Sequence, residues 1–215
     1  MKHMESVSWQ SAHYEEPFAT RRRLKIRRKL VDLGVSSLDP TLRILDTCCG
    51  NGDALAQLAE AGFRHLTGID GLRHPSWSKL PFPMVTGDVT ELPFEDKSFD
   101  AIINLHALHH LGGSEGVGSF LRECRRVLKP GGRLFILDFP SSLQIRLLFW
   151  GLRCRVLTVT PELSNFARIL DEEWSYLAPY LVEWPAVRQR LFGSELGVEH
   201  FRQDFFLYYL CLAKR

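Results

Sequence analysis

The stretch Ile44-Leu45-Asp46-Thr47-Cys48-Cys49-Gly50-Asn51-Gly52-Asp53 sets two glycines between an apolar run and a helix-forming run that continues to Ala61. Glycine lets the backbone come within contact distance of a ligand, and the start of the following helix offers unpaired N–H groups. A turn of this kind at the carboxyl end of a parallel strand is where open α/β sheets hold nucleotides. Two acids extend the pattern. Asp70 closes a second apolar run just before Gly71, where a carboxylate can accept both ribose hydroxyls of a nucleoside. Asp88, in Thr86-Gly87-Asp88-Val89, can accept from the exocyclic amine of adenine while the Val89 N–H meets a ring nitrogen. Each acid also has a local use, Asp70 as a turn former and Asp88 as a cap for the next turn. Their register behind the glycine turn favours the nucleoside.

Strands must deliver these groups to one edge, and the sequence alternates accordingly. Residues 42–46 read as a first strand, 53–61 as a helix stopped by Gly62, and His65–Asp70 as a second strand. Pro75, Pro81 and Pro83 leave little regular helix in the next crossover. Met84–Thr86 is a short third strand and Phe99–Leu105 a buried fourth. A helix over 114–128 is halted by Lys129-Pro130-Gly131-Gly132, and 133–139 is a fifth strand. This βαβ rhythm predicts a parallel, doubly wound sheet. Segments 197–204 and 205–213 lie too close together for a helical crossover and predict an antiparallel hairpin at the sheet edge. The expected layout is one domain. It has an N-terminal helical cap over residues 1–41, a ligand-binding core over 42–139, a substrate or lid insertion over 140–196 and a hairpin over 197–215.

The bulk numbers exclude several classes. A net charge of +2 gives no polyanion-binding surface by composition. No uncharged apolar run approaches the roughly 18 residues of a membrane span, and the first residues lack the apolar core of a signal peptide, so a cytoplasmic location is expected. Cys48, Cys49, Cys124, Cys154 and Cys211 show neither a CxxC pair nor ligand spacing. They read as reduced, small apolar residues, and no metal is expected.

Together, residues 44–53, Gly68-Ile69-Asp70, Gly87-Asp88-Val89, Leu92-Pro93-Phe94 and Phe99-Asp100-Ala101 closely resemble the class I S-adenosylmethionine-dependent methyltransferases. Ala107-Leu108-His109-His110-Leu111, the segment 123–132 and the terminal hairpin extend the match. The resemblance implies a Rossmann-like α/β fold: a mostly parallel seven-stranded sheet with a C-terminal antiparallel hairpin and helices on both faces. It implies S-adenosylmethionine as cofactor and S-adenosylhomocysteine as product. By the same resemblance, the loop carrying Asp46, Cys48, Gly50 and Gly52 wraps the methionine end. Asp70 with Gly71 holds the ribose, Asp88 and Val89 hold the adenine, and Asn104 and Leu105 face the methionine ammonium. Cys48 stands where the family has its first glycine, which is tolerated if its φ is negative. The Asp-x-Cys-Cys-Gly-x-Gly-Asp form is similar to the C-methyltransferases that act on ubiquinone and menaquinone precursors. The segment from Trp174 to Pro185 resembles that branch's Tyr-x-Tyr-Leu-x-x-Ser-Ile-x-x-Phe-Pro, with Tyr180 in place of the serine. Where that branch has Arg-Asn after the fourth strand, this chain has His109-His110.

Methyl transfer is an in-line displacement at a sulfonium carbon, helped by alignment and by a dry, apolar pocket. A phenolic or enolic acceptor calls for a base, and His106 and His109 are the candidates, with His109-His110 reading first as a structural turn beside the cofactor. Tyr14, Trp174, Tyr176 and Tyr180 either line an aromatic acceptor pocket or belong to the core. A helix over 143–157, with Arg146 and Arg153 on one face, reads as a lid or as a membrane-surface element. The basic run 21–29 reads as a solvated helix or one drawn to an anionic surface. The expected function is methylation of a small molecule, with a prenylated quinol or related phenol as the first candidate. The alternatives are O- or N-methylation of another small metabolite and a non-catalytic cofactor-binding partner. A nucleic-acid acceptor is not expected, because Asn104-Leu105-His106 is not an Asn-Pro-Pro-aromatic motif.

Overall fold

A computed structural model describes residues 19–215, with side chains from residue 24 onward. The candidate pocket residue Tyr14 lies outside the described residues.

The first helix, α1 (Ala19–Asp32), buries Leu30 and Leu33, leaves Leu24 exposed and ends at Gly34, whose φ of +81° suits glycine. Strand β1 (Arg43–Thr47) turns through the glycine loop into α2 (Asp53–Glu60). Then come β2 (His65–Asp70), a 3-10 turn (Pro75–Lys79), β3 (Met84–Thr86) and β4 (Phe99–Leu105). Helix α3 (Gly113–Val127) leads into β5 (Leu128–Asp138). Two helices follow, α4 (Leu143–Arg153) and α5 (Pro161–Phe192), before the hairpin β6 (Gly197–Gln203) and β7 (Tyr208–Ala213). The sheet order is β3-β2-β1-β4-β5-β7-β6. All neighbours are parallel except β5–β7 and β6–β7, as the close-spaced final strands required.

Alternate residues of each buried strand feed opposite cores. Leu45, Ile102, Leu134 and Ile136 pack with α3, α4 and α5, whereas Ile44, Ala101, Ile103, Phe135 and Leu137 pack with α1 and α2. The strand order reverses between β1 and β4, and the crevice at that switch point lies over the carboxyl ends of both strands.

One element departs from expectation, and one goes against its own local sequence. Strand β5 begins at Leu128 rather than after the glycines, because Leu128 pairs with Phe99 and the register shifts before Ala101 meets Arg133. Residues 161–192 form one long helix although Pro179 and Pro185 lie inside it. Each proline removes a helical hydrogen bond at a cost of about 3 kcal/mol. Burial of Leu170, Leu177, Tyr180, Leu181, Val187 and Leu191 along one face offsets this. Thr160, whose hydroxyl accepts from the Leu163 N–H at 3.2 Å, and Pro161 at the first turn start the helix.

Candidate functional site

The loop after β1 is held open by its own backbone. Gly50 and Gly52 take φ of +54° and +86°, and a Cβ on Gly52 would sit 2.5 Å from Leu80 Cδ1. Cys48 takes φ +55°, so the negative value on which its tolerance depended is not met. A side chain in the left-handed region costs about 1–2 kcal/mol, and here Cys48 packs against the core on the α3 side.

Asp70, at the end of β2, fastens this loop. Its Oδ2 accepts from the Gly50 N–H at 2.8 Å and its Oδ1 from the Leu72 N–H at 3.0 Å. A second fastening comes from a residue the sequence reading passed over. Trp77, buried in the 3-10 turn, donates through Nε1 to the Gly50 carbonyl at 2.8 Å, and Ser76 Oγ donates to the Asn51 carbonyl at 3.1 Å. The proline-rich crossover hid this clamp. Its one signal was a lone Trp two residues after Pro75, a residue that pre-sets a helical turn. Gly71 beside Asp70 is exposed and has open space around it.

Asp46 is buried at the base of the loop. Burial first, and then the charge of Asp70, push its carboxyl well above the usual range. Asp88 is exposed, and its Oδ1 accepts from both the N–H and the hydroxyl of Thr90 at 2.7 Å, the local capping use of this acid. Val89 beside it is buried.

The carboxyl end of β4 concentrates unsatisfied polar atoms. Asn104 is fully buried and donates through Nδ2 to Thr47 Oγ1 at 3.1 Å, while Thr47 Oγ1 donates to the Ile103 carbonyl at 2.9 Å. Asn104 Oδ1, His106 Nδ1 and His109 Nε2 are all buried and have no hydrogen-bond partner among the described residues. Buried polar atoms rarely stay unpaired unless a ligand or water meets them. Leu105 between them is half-buried.

Each histidine here has a distinct state. His106 takes φ +54° while its N–H donates to the Leu137 carbonyl at 2.7 Å. Its Nε2 lies 2.6 Å from Lys29 Nζ, which α1 brings across the strand ends. Burial and then the Lys29 charge lower the His106 ring to about 3. Burial and Lys25 lower Lys29 to about 8, against an opposing pull from Asp138. The His109 Nδ1 lies 3.0 and 3.1 Å from the two carboxylate oxygens of Asp138, and its Nε2 lies 3.7 Å from Glu173 Oε2. Burial alone would lower this ring, but the charge and hydrogen bond of Asp138, with Glu173 added, raise it to about 10. His109 therefore holds a proton at neutral pH, and a general base cannot. His110, 4.3 Å from His109 between ring centres, is lowered to about 4 by burial and by that charge. Ligand atoms of His109, His110 and Glu173 lie within 4.8 Å of one another, the one metal-competent grouping among the described residues. With Asp138 on its other nitrogen, His109 reads instead as the centre of an ion pair.

The aromatic candidates separate by depth. Tyr180 is fully buried, its hydroxyl 3.2 Å from that of Tyr208, and its ring packs 6.0 Å from His109. This makes it core behind the site and corrects its expected place in the pocket wall. Its spacing from Leu177 and Trp184 is the helical period that puts it there. Trp174 is half-buried beneath the Arg153 guanidinium, 4.1 Å from the ring centre. Tyr176, 39% exposed, flanks His110 at 5.1 Å and remains available to a ligand. Phe139, 5.2 Å from His106 and 6.0 Å from His109, completes an aromatic wall that the sequence reading missed.

A family model described as a methyltransferase domain matches residues 45–136. The chain is 32% identical over 178 residues to the 2-phytyl-1,4-naphtoquinone methyltransferase of Synechocystis, covering 75% of this chain and 71% of that one. The chain belongs to the S-adenosylmethionine-dependent methyltransferases. This methyltransferase is also 30% identical to the demethylmenaquinone methyltransferase of Tropheryma whipplei, over 71% of its own length and 64% of the relative's. Among solved structures, magnesium protoporphyrin IX methyltransferase of Synechocystis with bound SAH has a TM-score of 0.66, 15% identity and 99% and 95% coverage of the two chains. The PH0226 protein of Pyrococcus horikoshii has a TM-score of 0.65, 20% identity and 91% coverage of each. These two likenesses bear on the fold.

The site of the methyltransferase suits its cofactor. A glycine cradle at positive φ, a buried carboxyl at Asp46 and an unpartnered amide oxygen at Asn104 supply close approach and acceptors for a cationic amino-acid end.

Proposed function

We propose that this methyltransferase places a methyl group on a ring carbon of a prenylated quinol or a related phenol. The observation that carries the reading is the pair of unpartnered buried atoms at Asn104 and His106, bordered by the Phe139, His110 and Tyr176 rings. Such a wall fits a flat aromatic acceptor, and the few polar atoms inside it fit a ring hydroxyl. The two quinone-named relatives at about 30% identity support the same class.

S-Adenosylmethionine supplies a methyl group already activated on a sulfonium. In this reading Asp70 keeps the glycine loop in place and offers remaining lone pairs to the ribose, with Gly71 leaving open space beside it. Asp46 and Asn104 accept from the ammonium. Asp88 and Val89 border the adenine. His106, neutral at working pH, is the group suited to the acceptor hydroxyl. His109, charged and pinned by Asp138, holds the turn and the wall in position. The aromatic wall excludes water, which lets charge disappear as the sulfonium and phenolate neutralise each other.

A membrane-facing surface belongs to the same proposal. Leu143, Leu147 and Trp150 recur at helical spacing on the outer side of α4 and are 70%, 57% and 62% exposed. Exposed Arg146 lies among them. No helix of the described residues is long and apolar enough to cross a membrane. An outward apolar face edged by arginine suits contact with anionic lipid, from which a prenylated acceptor would arrive. Trp150→Glu is expected to lower binding to anionic phospholipid vesicles at least tenfold, because one buried aromatic is worth about 1.5–3 kcal/mol. Equal binding of variant and wild type would remove this surface from the proposal.

The direct test supplies labelled S-adenosylmethionine and a chemically reduced prenylated naphthoquinol. Label on a ring carbon, located by mass spectrometry and NMR of the extracted product, is the expected result. Label on oxygen, or transfer only to water-soluble acceptors, would overturn it.

A further inference from the structure

We propose that Lys29 and His106 form a proton wire that carries the hydroxyl proton of the bound acceptor out to solvent. The inference rests on the reading that the acceptor carries a ring hydroxyl. Lys29 was no part of the expected site, since it lies in the basic run of α1, 77 residues before its partner. Three observations place it there. The Nζ–Nε2 distance of 2.6 Å is a hydrogen bond between two titratable groups, largely withdrawn from water. The other ring nitrogen of His106, Nδ1, is buried without a partner beside the Phe139 ring. Lys29 in turn lines a cleft of about 340 Å³ on the outer side, with Lys25, Arg28, Asp32 and Tyr209. One imidazole therefore joins the unpaired atoms at the end of β4 to an amine with access to solvent. The left-handed backbone of His106, at φ +54°, is a strain that a merely filling residue would not need.

The transfer balances as follows. The acceptor O–H bond breaks and its proton passes to His106 Nδ1, while the proton on Nε2 passes to the neutral Lys29 amine, which becomes an ammonium. With the methyl donor bound, the freed oxygen electron pair would push into the ring and the ring carbon would take the methyl group, the electrons of the broken carbon–sulfur bond staying with the donor. The ring carbon then loses its own proton and the oxygen regains one, so one proton leaves in total, through Lys29 to the cleft. The groups facing Lys29 set when it is neutral. Lys25 on its own helix favours the neutral amine, and Asp138 on β5 opposes it. Arg28 and Asp32 on α1, Arg202 on β6 and Asp204 in the hairpin turn also border the cleft.

The wire predicts that kcat/KM with the naphthoquinol rises with pH and levels off above about 8, where the Lys29 amine is free. Lys29→Met should lower kcat/KM by about 100-fold or more and remove that rise, with S-adenosylhomocysteine affinity unchanged. Lys29→Arg keeps the charge but cannot take a proton, so it should not restore the rate. A rate restored by Lys29→Arg would make the pair an electrostatic support and overturn the wire. A second readout needs no acceptor. In 15N-histidine NMR spectra, His106 should exchange its ring tautomer between pH 7 and 9 in the wild type and not in Lys29→Met. A tautomer that ignores pH in the wild type would also overturn the wire. Failure of the naphthoquinol assay with this exchange intact would remove the acceptor assignment and keep the wire.

Discussion

Asp138→Ala is expected to cost about 3–5 kcal/mol of folding stability, read as a fall in the urea midpoint. The side chains of Asp138 and His109 are 0% and 1% exposed, and the ring donates into a carboxylate that also accepts the His109 and Phe139 N–H groups. Removing the acid leaves a buried ring that must shed its proton or keep an unpaired charge. The pair also has a pH signature. His109 is raised from 6.5 to about 10 in the folded chain, so its contribution is complete below about pH 6.5 and is lost as pH rises toward 10. Asp138 is lowered below 3.8, so its share is present above that value and is lost as pH falls through its folded pKa. The clean window is pH 6.5 to 8. His106 and His110, both depressed, add an opposite slope that fades above pH 6.5, and Lys29, depressed to about 8, adds another from about pH 8 upward, so the pair is read as the difference between wild type and Asp138→Ala. Across that window the wild type should lose about 2 kcal/mol relative to Asp138→Ala, at about 1.4 kcal/mol per pH unit for one proton. A constant difference between the two proteins across the window would mean that His109 is neutral and the pair is not ionic.

Asp70→Ala should weaken S-adenosylhomocysteine binding about 100-fold by titration calorimetry, with the melting temperature of the unliganded chain lowered by several degrees. The carboxylate makes two charge-assisted bonds to backbone N–H groups, at Gly50 and Leu72, each worth about 1.5–3 kcal/mol to the order of the loop. Once they are lost, the glycines at positive φ are free to leave the cradle shape, and the ribose loses its acceptor. Trp77→Phe, which keeps the ring but loses the 2.8 Å bond to the Gly50 carbonyl, should cost about tenfold. If Asp70→Ala binds within threefold of wild type, the loop is held by other means and Asp70 does not contact the ligand.

Local pattern carried much of this molecule. Strands β2, β3 and β4 have the bounds that their apolar runs and flanking Gly, Pro and Asp residues predict. The antiparallel hairpin followed from the short link between two extended segments, and the cofactor class from the glycine loop with Asp70 behind it. Helix α5 was not legible as one element. Pro179 and Pro185 argue against a helix locally, and only the burial of its inner face against α3 and the sheet outweighs them. The backbone of Cys48 was not legible for a similar reason, since a φ is set by the loop that both chain ends impose.

Chemistry divides along the same line. Residue type and order are local properties, so the sequence determined the strand–loop–helix that cradles the cofactor, the acids at the strand ends and the family. Protonation states and partners depend on what burial and distant chain bring together. Two adjacent imidazoles, His109 and His110, end with opposite shifts because only one meets Asp138, 29 residues away. Lys29 looks like one more solvated charge in its run until α1 crosses the end of β4 and sets its amine 2.6 Å from His106. Tertiary structure alone decided which histidine holds a proton and which is free to take one, because a pKa answers to desolvation and neighbouring charge, and neither is written in local sequence.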